Sequence, residues 1–186
     1  MMKRILALAV LACLAAAPAR ADEYALDPAH AGVNFKISHI GLSWIYGRFN
    51  DLSGAFTIDP DAAKCAFNMT IKTESVDTGN GKRDEHLRTP DFFNAKQFPV
   101  ISFKSTAVKT IKDGYEVTGD FTMHGETKAI TFALLGGKTA EFPKGVTRTG
   151  FSTELVLKRG DFKIDKFAGA VGEDVHISIS FEATKK

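Results

Sequence analysis

The chain has 186 residues, 44% of them hydrophobic and 25% charged, with 24 Lys and Arg against 22 Asp and Glu. This length suits one domain whose core stands without disulfide or metal staples. So even a charge balance supplies no field to gather nucleic acid or an anionic membrane surface, and no nucleic-acid partner is expected.

The N-terminus reads as an export signal. Lys3 and Arg4 precede an apolar run from Ile5 to Ala17, too short to cross a bilayer as a helix. Pro18 ends the run, and Ala19-Arg20-Ala21 has the small-x-small order of a cleavage site. Residues 1–21 are predicted to be removed after Ala21, which leaves residues 22–186 as one exported domain. The rivals are an uncleaved anchor and a lipid-modified Cys13, whose surroundings resemble a lipoprotein box poorly. Cleavage takes away Lys3, Arg4 and Arg20, so 21 basic groups face 22 acids. It also takes Cys13 and leaves Cys65 alone, which excludes an internal disulfide. Cys65 opens an alternating run and reads as a packed strand residue.

Alternation of apolar and polar residues then dominates. It begins with Val33-x-Phe35-x-Ile37, and a strand over Arg48–Ile58 follows. Phe67-x-Met69-x-Ile71 and Ile101-x-Phe103 continue it, and Val117, Gly119, Phe121 and Met123 share one parity. Ile130-x-Phe132-x-Leu134, Phe151 to Leu157 and Val175 to Phe181 complete the set. Period two over short runs predicts about eight strands with one apolar face. Asp59-Pro60-Asp61, Lys112-Asp113-Gly114 and Met123-His124-Gly125 mark reversals. Gly136-Gly137 and Pro143-Lys144-Gly145 read as a longer connection. Such short links predict an antiparallel meander.

Asp77–Phe98 breaks the pattern. Asn80–Leu87 suits a short helix, and Thr89-Pro90-Asp91 resembles a second helix start, with Thr89 as N-cap. The segment reads as a helical insertion, around residues 80–95, over one end of the sheet. Arg83, Asp84, His86 and Arg88 cluster there. They either recognise a polar head group at a mouth or form a structural cap.

Eight one-faced strands close as a sandwich or a barrel, and an eight-stranded barrel is either filled or able to hold one small ligand. A Phe- and Met-rich inner set, with Gly119 leaving room in mid-strand, favours a cavity; a packed core is the alternative. The five histidines, His30, His39, His86, His124 and His176, have no metal-ligand spacing. No nucleophile elbow, phosphate loop or dinucleotide fingerprint occurs. No catalytic residue, metal or catalytic cofactor is therefore predicted.

Leu26-Asp27-Pro28-Ala29-His30, Gly47-Arg48-Phe49 and above all Ser75-Val76-Asp77-Thr78-Gly79-Asn80 through Arg83-Asp84, His86-Leu87-Arg88 and Pro90-Asp91-Phe92-Phe93 resemble the YceI-like family. The resemblance covers nearly all of residues 22–183 and is weaker from Gly136 to Lys166. It implies an all-β fold, an eight-stranded antiparallel lipocalin-like barrel. It also implies a secreted or periplasmic protein that binds a long polyisoprenoid or the tail of an isoprenoid quinone, with homodimers common. Burying one five-carbon isoprene unit contributes roughly 3–4 kcal/mol. The apolar parity supplies wall candidates for such a tail: Val33, Phe35, Ile37, Phe67, Met69, Ile71, Ile101, Phe103, Phe121, Met123, Phe132, Ile177 and Ile179. His39, on the parity of Phe35 and Ile37, is expected to point inward. Trp44 and Tyr46 are expected near the rim. The mouth set is then His39, Trp44, Arg83, Asp84, His86 and Arg88. The competing readings are a periplasmic stress or assembly factor with a packed barrel, and a lipid hydrolase.

Overall fold

The computed structural model describes residues 21–186; the expected leader lies outside them but for Ala21. The alternating segments form ten strands. They are β1 (Asp22–His39), β2 (Ser43–Phe49), β3 (Leu52–Ile58), β4 (Ala66–Lys72), β5 (Val76–Asp77), β6 (Val100–Ile111), β7 (Gly114–Met123), β8 (Glu126–Glu141), β9 (Thr147–Lys158) and β10 (Val171–Lys185). One α-helix, α1 (Gly81–Leu87), and three short 3-10 helices (Ala62–Lys64, Thr73–Ser75 and Arg159–Phe162) interrupt them among the described residues. The sheet runs β10-β9-β8-β7-β6-β4-β3-β1-β2-β5, and β10 also pairs with β1. β1 pairs with β3 through Asp22–Ala25 and with β2 through Val33–His39. β2 and β3 are therefore two halves of one barrel position, and eight antiparallel positions close on themselves. Each position pairs with both neighbours over part of its length; β8 and β9 pair only from Leu135 and Ser152 to the turn that joins them.

Local chemistry sets the register. Asp27-Pro28-Ala29-His30 forms a bulge in β1, where the pairing with β10 shifts between Leu26 and Ala31. Asp27 accepts from the Ala29 N–H and pairs with His30 and with Arg148 of β9. Pro28 has no N–H to give a ladder, so it fits only such a break. In the β7–β8 turn, Met123 pairs with Glu126, and His124 and Gly125 have φ of 52° and 79°. Two positive φ values match the twist of the flanking strands.

Three expectations are corrected. Gly136-Gly137 is not a loop: both lie within β8, and the pairing with β9 shifts between Gly136 and Thr139. This is a bulge, which glycine permits. No helix starts at Thr89. The helix is α1, where the Asn80 side chain accepts from the Arg83 N–H. Thr89 Oγ1 instead donates to the His86 carbonyl, and residues 88–97 run as successive turns. Cys65 precedes β4 rather than opening it; it is buried, and burial pushes its thiol up.

The interior has two levels. Tyr24, Phe56, Phe67, Tyr115, Phe151 and Phe181 pack ring to ring at one end, with centroids 5.5–6.1 Å apart. This aromatic floor closes the barrel where the N- and C-terminal ends of β1 and β10 meet. Above it the inward side chains line a cavity.

Candidate functional site

Above the floor lies a cavity of about 190 Å³ whose wall surface is wholly apolar. Each strand contributes through its period-two face. All the wall candidates named from the sequence, from Val33 to Ile179, line it. Phe49, Val117, Ile130, Leu134, Leu155, Leu157 and Val175 line it with them.

Gly119 does not leave open space. A β-carbon there would lie 2.5 Å from the Phe103 ring, so Phe103 lies across the glycine. Gly47 does the same for Phe35, at 2.3 Å. These glycines let large rings lie flat along the wall; Phe103 then rests against Phe132, 5.2 Å between centroids.

Two segments cover the mouth. The first, residues 78–98, turns Leu87, Phe92 and Phe93 onto the cavity, with Phe93 edge-on to Phe49. The second, residues 159–171, contributes Arg159, Ile164 and Val171. Neither set was named from the sequence, because neither segment has a period that reveals its inner face.

Arg159 organises the second segment. It is 3% exposed, and its guanidinium donates to the carbonyls of Ile164, Lys166, Val171 and Gly172. Four carbonyl dipoles thus solvate a buried charge that has no carboxylate partner among the described residues. The segments meet at the surface. His86 Nε2 donates to Asp91, and Lys166 reaches the other Asp91 oxygen at 3.3 Å. The His86 bond, then Lys166, hold the Asp91 carboxyl below its ordinary value. Phe92 and Phe167 add an aromatic contact at 6.2 Å. From below, His124 Nδ1 donates to the Phe162 carbonyl while its ring meets Phe98.

The expected mouth set is redistributed. Arg83 donates to the Thr78 hydroxyl and carbonyl, and Asp84, buried, accepts from the Thr78 N–H and hydroxyl. Arg88 donates to the carbonyls of Glu74 and Val76. These groups tie residues 74–88 together, and none of them lines the cavity. His86 serves the latch with Asp91. His39 shares the inner parity, as its pairing with Ser43 shows, but it ends β1 exposed and beyond the cavity. Trp44 and Tyr46 are not rim residues. Pairing of Trp44 with Ser38 and of Tyr46 with Lys36 puts them on the outer face. There Lys36 lies 4.9 Å from the Trp44 ring centroid, and His176 meets that ring edge-on.

Among the described residues no group of three or more His, Cys, Asp or Glu is placed to hold a metal, and no helix is long and apolar enough to cross a membrane.

A family model described as the YceI-like domain matches residues 24–183. Protein YceI of Escherichia coli O17:K52:H18 is 42% identical over 175 residues, 92% of this chain and 91% of that one. BcnA of Burkholderia cenocepacia superposes with a TM-score of 0.77 at 25% identity, over 86% of this chain and 99% of that one. A polyisoprenoid-binding domain from Saccharophagus degradans shares the fold at 19% identity, with a TM-score of 0.65 over 88% and 98% of the two chains.

Proposed function

The chain belongs to the YceI-like family, and on that premise we propose that it is a periplasmic binding protein that holds the chain of a long isoprenoid lipid in its barrel. The observation that carries this reading is the wholly apolar cavity above a closed aromatic floor. A shared fold with a polyisoprenoid-binding domain supports it. Export follows from the leader, with removal after Ala21, and Asp22 is the expected first residue on sequencing the mature N-terminus.

An isoprenoid chain asks little of a site beyond dryness and length. Each buried unit contributes roughly 3–4 kcal/mol, and ordering of the chain offsets part of this. An apolar cavity of about 150 Å³ takes up benzene. A volume of about 190 Å³ therefore holds little more than one isoprene unit. A longer chain enters as Met69, Met123 and the phenyl rings reorient and the two mouth segments move apart. Thioether and phenyl walls suit such adjustment. Hydrolysis would need a nucleophile beside a general base; of the two hydroxyl residues in the lining, Ser102 and Thr153, the buried Thr153 Oγ1 has no hydrogen-bond partner among the described residues.

Titration of delipidated mature protein with geranylgeraniol tests this, comparing wild type with Phe121→Gln. Saturable binding, weakened at least tenfold by an amide in the apolar wall, is expected. A folded wild-type protein that takes up no geranylgeraniol defeats the proposal and favours a packed barrel acting through protein contacts.

A further inference from the structure

Behind the apolar surface of the cavity wall lies one buried hydroxyl without a partner. Thr153 is 5% exposed, it lines the cavity, and no group among the described residues hydrogen-bonds its Oγ1. It lies deep. Thr153 pairs with Ile179 and shares its face with Phe151, two residues nearer the closed end and part of the aromatic floor. Along β9 it is six residues from Arg159, roughly 20 Å at the rise of a strand. A buried hydroxyl without a partner is costly to keep, whereas valine has the same shape and no such cost. The polar groups of the mouth are, by contrast, engaged. Arg159 gives its N–H groups to four carbonyls, and Arg83 and Arg88 give theirs to the backbone of residues 74–78. Beside the engaged Arg159, the inner face of the cap is Leu87, Phe92, Phe93, Ile164 and Val171. The mouth thus offers hydrocarbon, and the deep end holds one hydroxyl that a turn about χ1 of Thr153 presents to the cavity.

We infer that the lipid enters head first, and that Thr153 Oγ1 hydrogen-bonds a neutral carbonyl or hydroxyl at its end while the hydrocarbon runs outward to the Phe92–Phe93 cap. The head group is uncharged, because no cation lines the deep end and an unpaired anion there would be strongly disfavoured. Thr153 is a specificity residue: it chooses among isoprenoids of one length by what terminates them. This rests on the lipid-binding reading above.

Three probes separate the outcomes: geranylgeraniol, geranylgeranyl phosphate and the hydrocarbon of the same carbon skeleton. Each is titrated into delipidated wild type, Thr153→Val and Thr153→Ser. The alcohol-to-hydrocarbon affinity ratio is expected to fall about three- to tenfold in Thr153→Val, the size of one neutral hydrogen bond. Thr153→Ser, which keeps the hydroxyl, is expected to retain the wild-type ratio, and the phosphate is expected to bind more weakly than the alcohol. An unchanged ratio in Thr153→Val, with the hydrocarbon still bound, overturns the inference and leaves lipid binding intact. Tighter binding of the phosphate than of the alcohol overturns it too, by placing the head outside the dry end. If wild type binds neither alcohol nor hydrocarbon, the lipid-binding reading itself fails and takes this inference with it.

Discussion

Replacing Phe56 by alanine removes the hub of the aromatic floor. Phe56 is 3% exposed, stacks on Tyr24 and Phe67 with centroids 5.5 and 5.6 Å away, and meets Phe151 and Phe181 edge-on. Losing the burial of the ring costs about 1.5–3 kcal/mol. The space left is about 100 Å³, which at about 24 cal/mol per Å³ adds roughly 2.4 kcal/mol if the neighbours hold still. Rings anchored on five different strands collapse poorly, so the total is expected near 4 kcal/mol. Urea unfolding of wild type and Phe56→Ala, with equal slopes, reads this difference as a lower midpoint. A change below about 1.5 kcal/mol would show that the floor is loosely packed, and the division into a solid floor and an open upper level would be wrong.

Three further outcomes follow from other parts of the molecule. Arg88→Met is expected to lower the melting temperature without altering the preference among isoprenoid alcohol, phosphate and hydrocarbon, because Arg88 holds the Glu74 and Val76 carbonyls and does not reach the cavity; a changed preference would return the Arg83–Arg88 cluster to the binding site. Asp91→Asn weakens the Lys166 link between the two mouth segments, so stopped-flow traces are expected to show faster ligand entry and exit with little change in thermal stability, as an exposed ion pair contributes little; unaltered rates would mean the lipid does not pass between these segments. The Asp27 carboxyl is held at about 2 by its bond to Arg148 and then by His30 and the Ala29 N–H. A depressed folded value means its stabilisation is complete above about pH 4 and is lost as the pH falls toward 2. The melting-temperature gap between wild type and Asp27→Asn is therefore expected to be constant at neutral pH and to shrink over that window; a gap that widens on acidification would contradict the assignment.

The strands and their inner faces were legible because period two is fixed by the backbone, so Phe35, Phe67, Phe103 and Phe121 declared their side without any tertiary information. The same rule, carried through the short β1–β2 turn, puts Ile45, Gly47 and Phe49 inward and Trp44 outward. Reading Trp44 as a rim residue followed its amphipathic ring instead of its parity. What the sequence hid is irregular backbone. Leu87, Phe92, Phe93 and Ile164 lie in turns, where spacing says nothing of direction. Arg159 reads as a surface charge until its four carbonyl partners are seen. Gly119 reads as room left in mid-strand, but the ring of Phe103 lies across it and takes that room. Thr153, between Phe151 and Leu155, sits on the apolar parity in plain view; only the missing partner distinguishes it from a residue that packs.

The claim that this barrel holds a lipid is tested most directly on protein recovered from the envelope of its own cell. Native mass spectrometry of that material, followed by organic extraction, is expected to show the mature chain from Asp22 carrying one noncovalent adduct that extracts as a neutral isoprenoid. Protein of the same folded mass that carries no adduct, and takes none up when mixed with the lipids of that envelope, would contradict it.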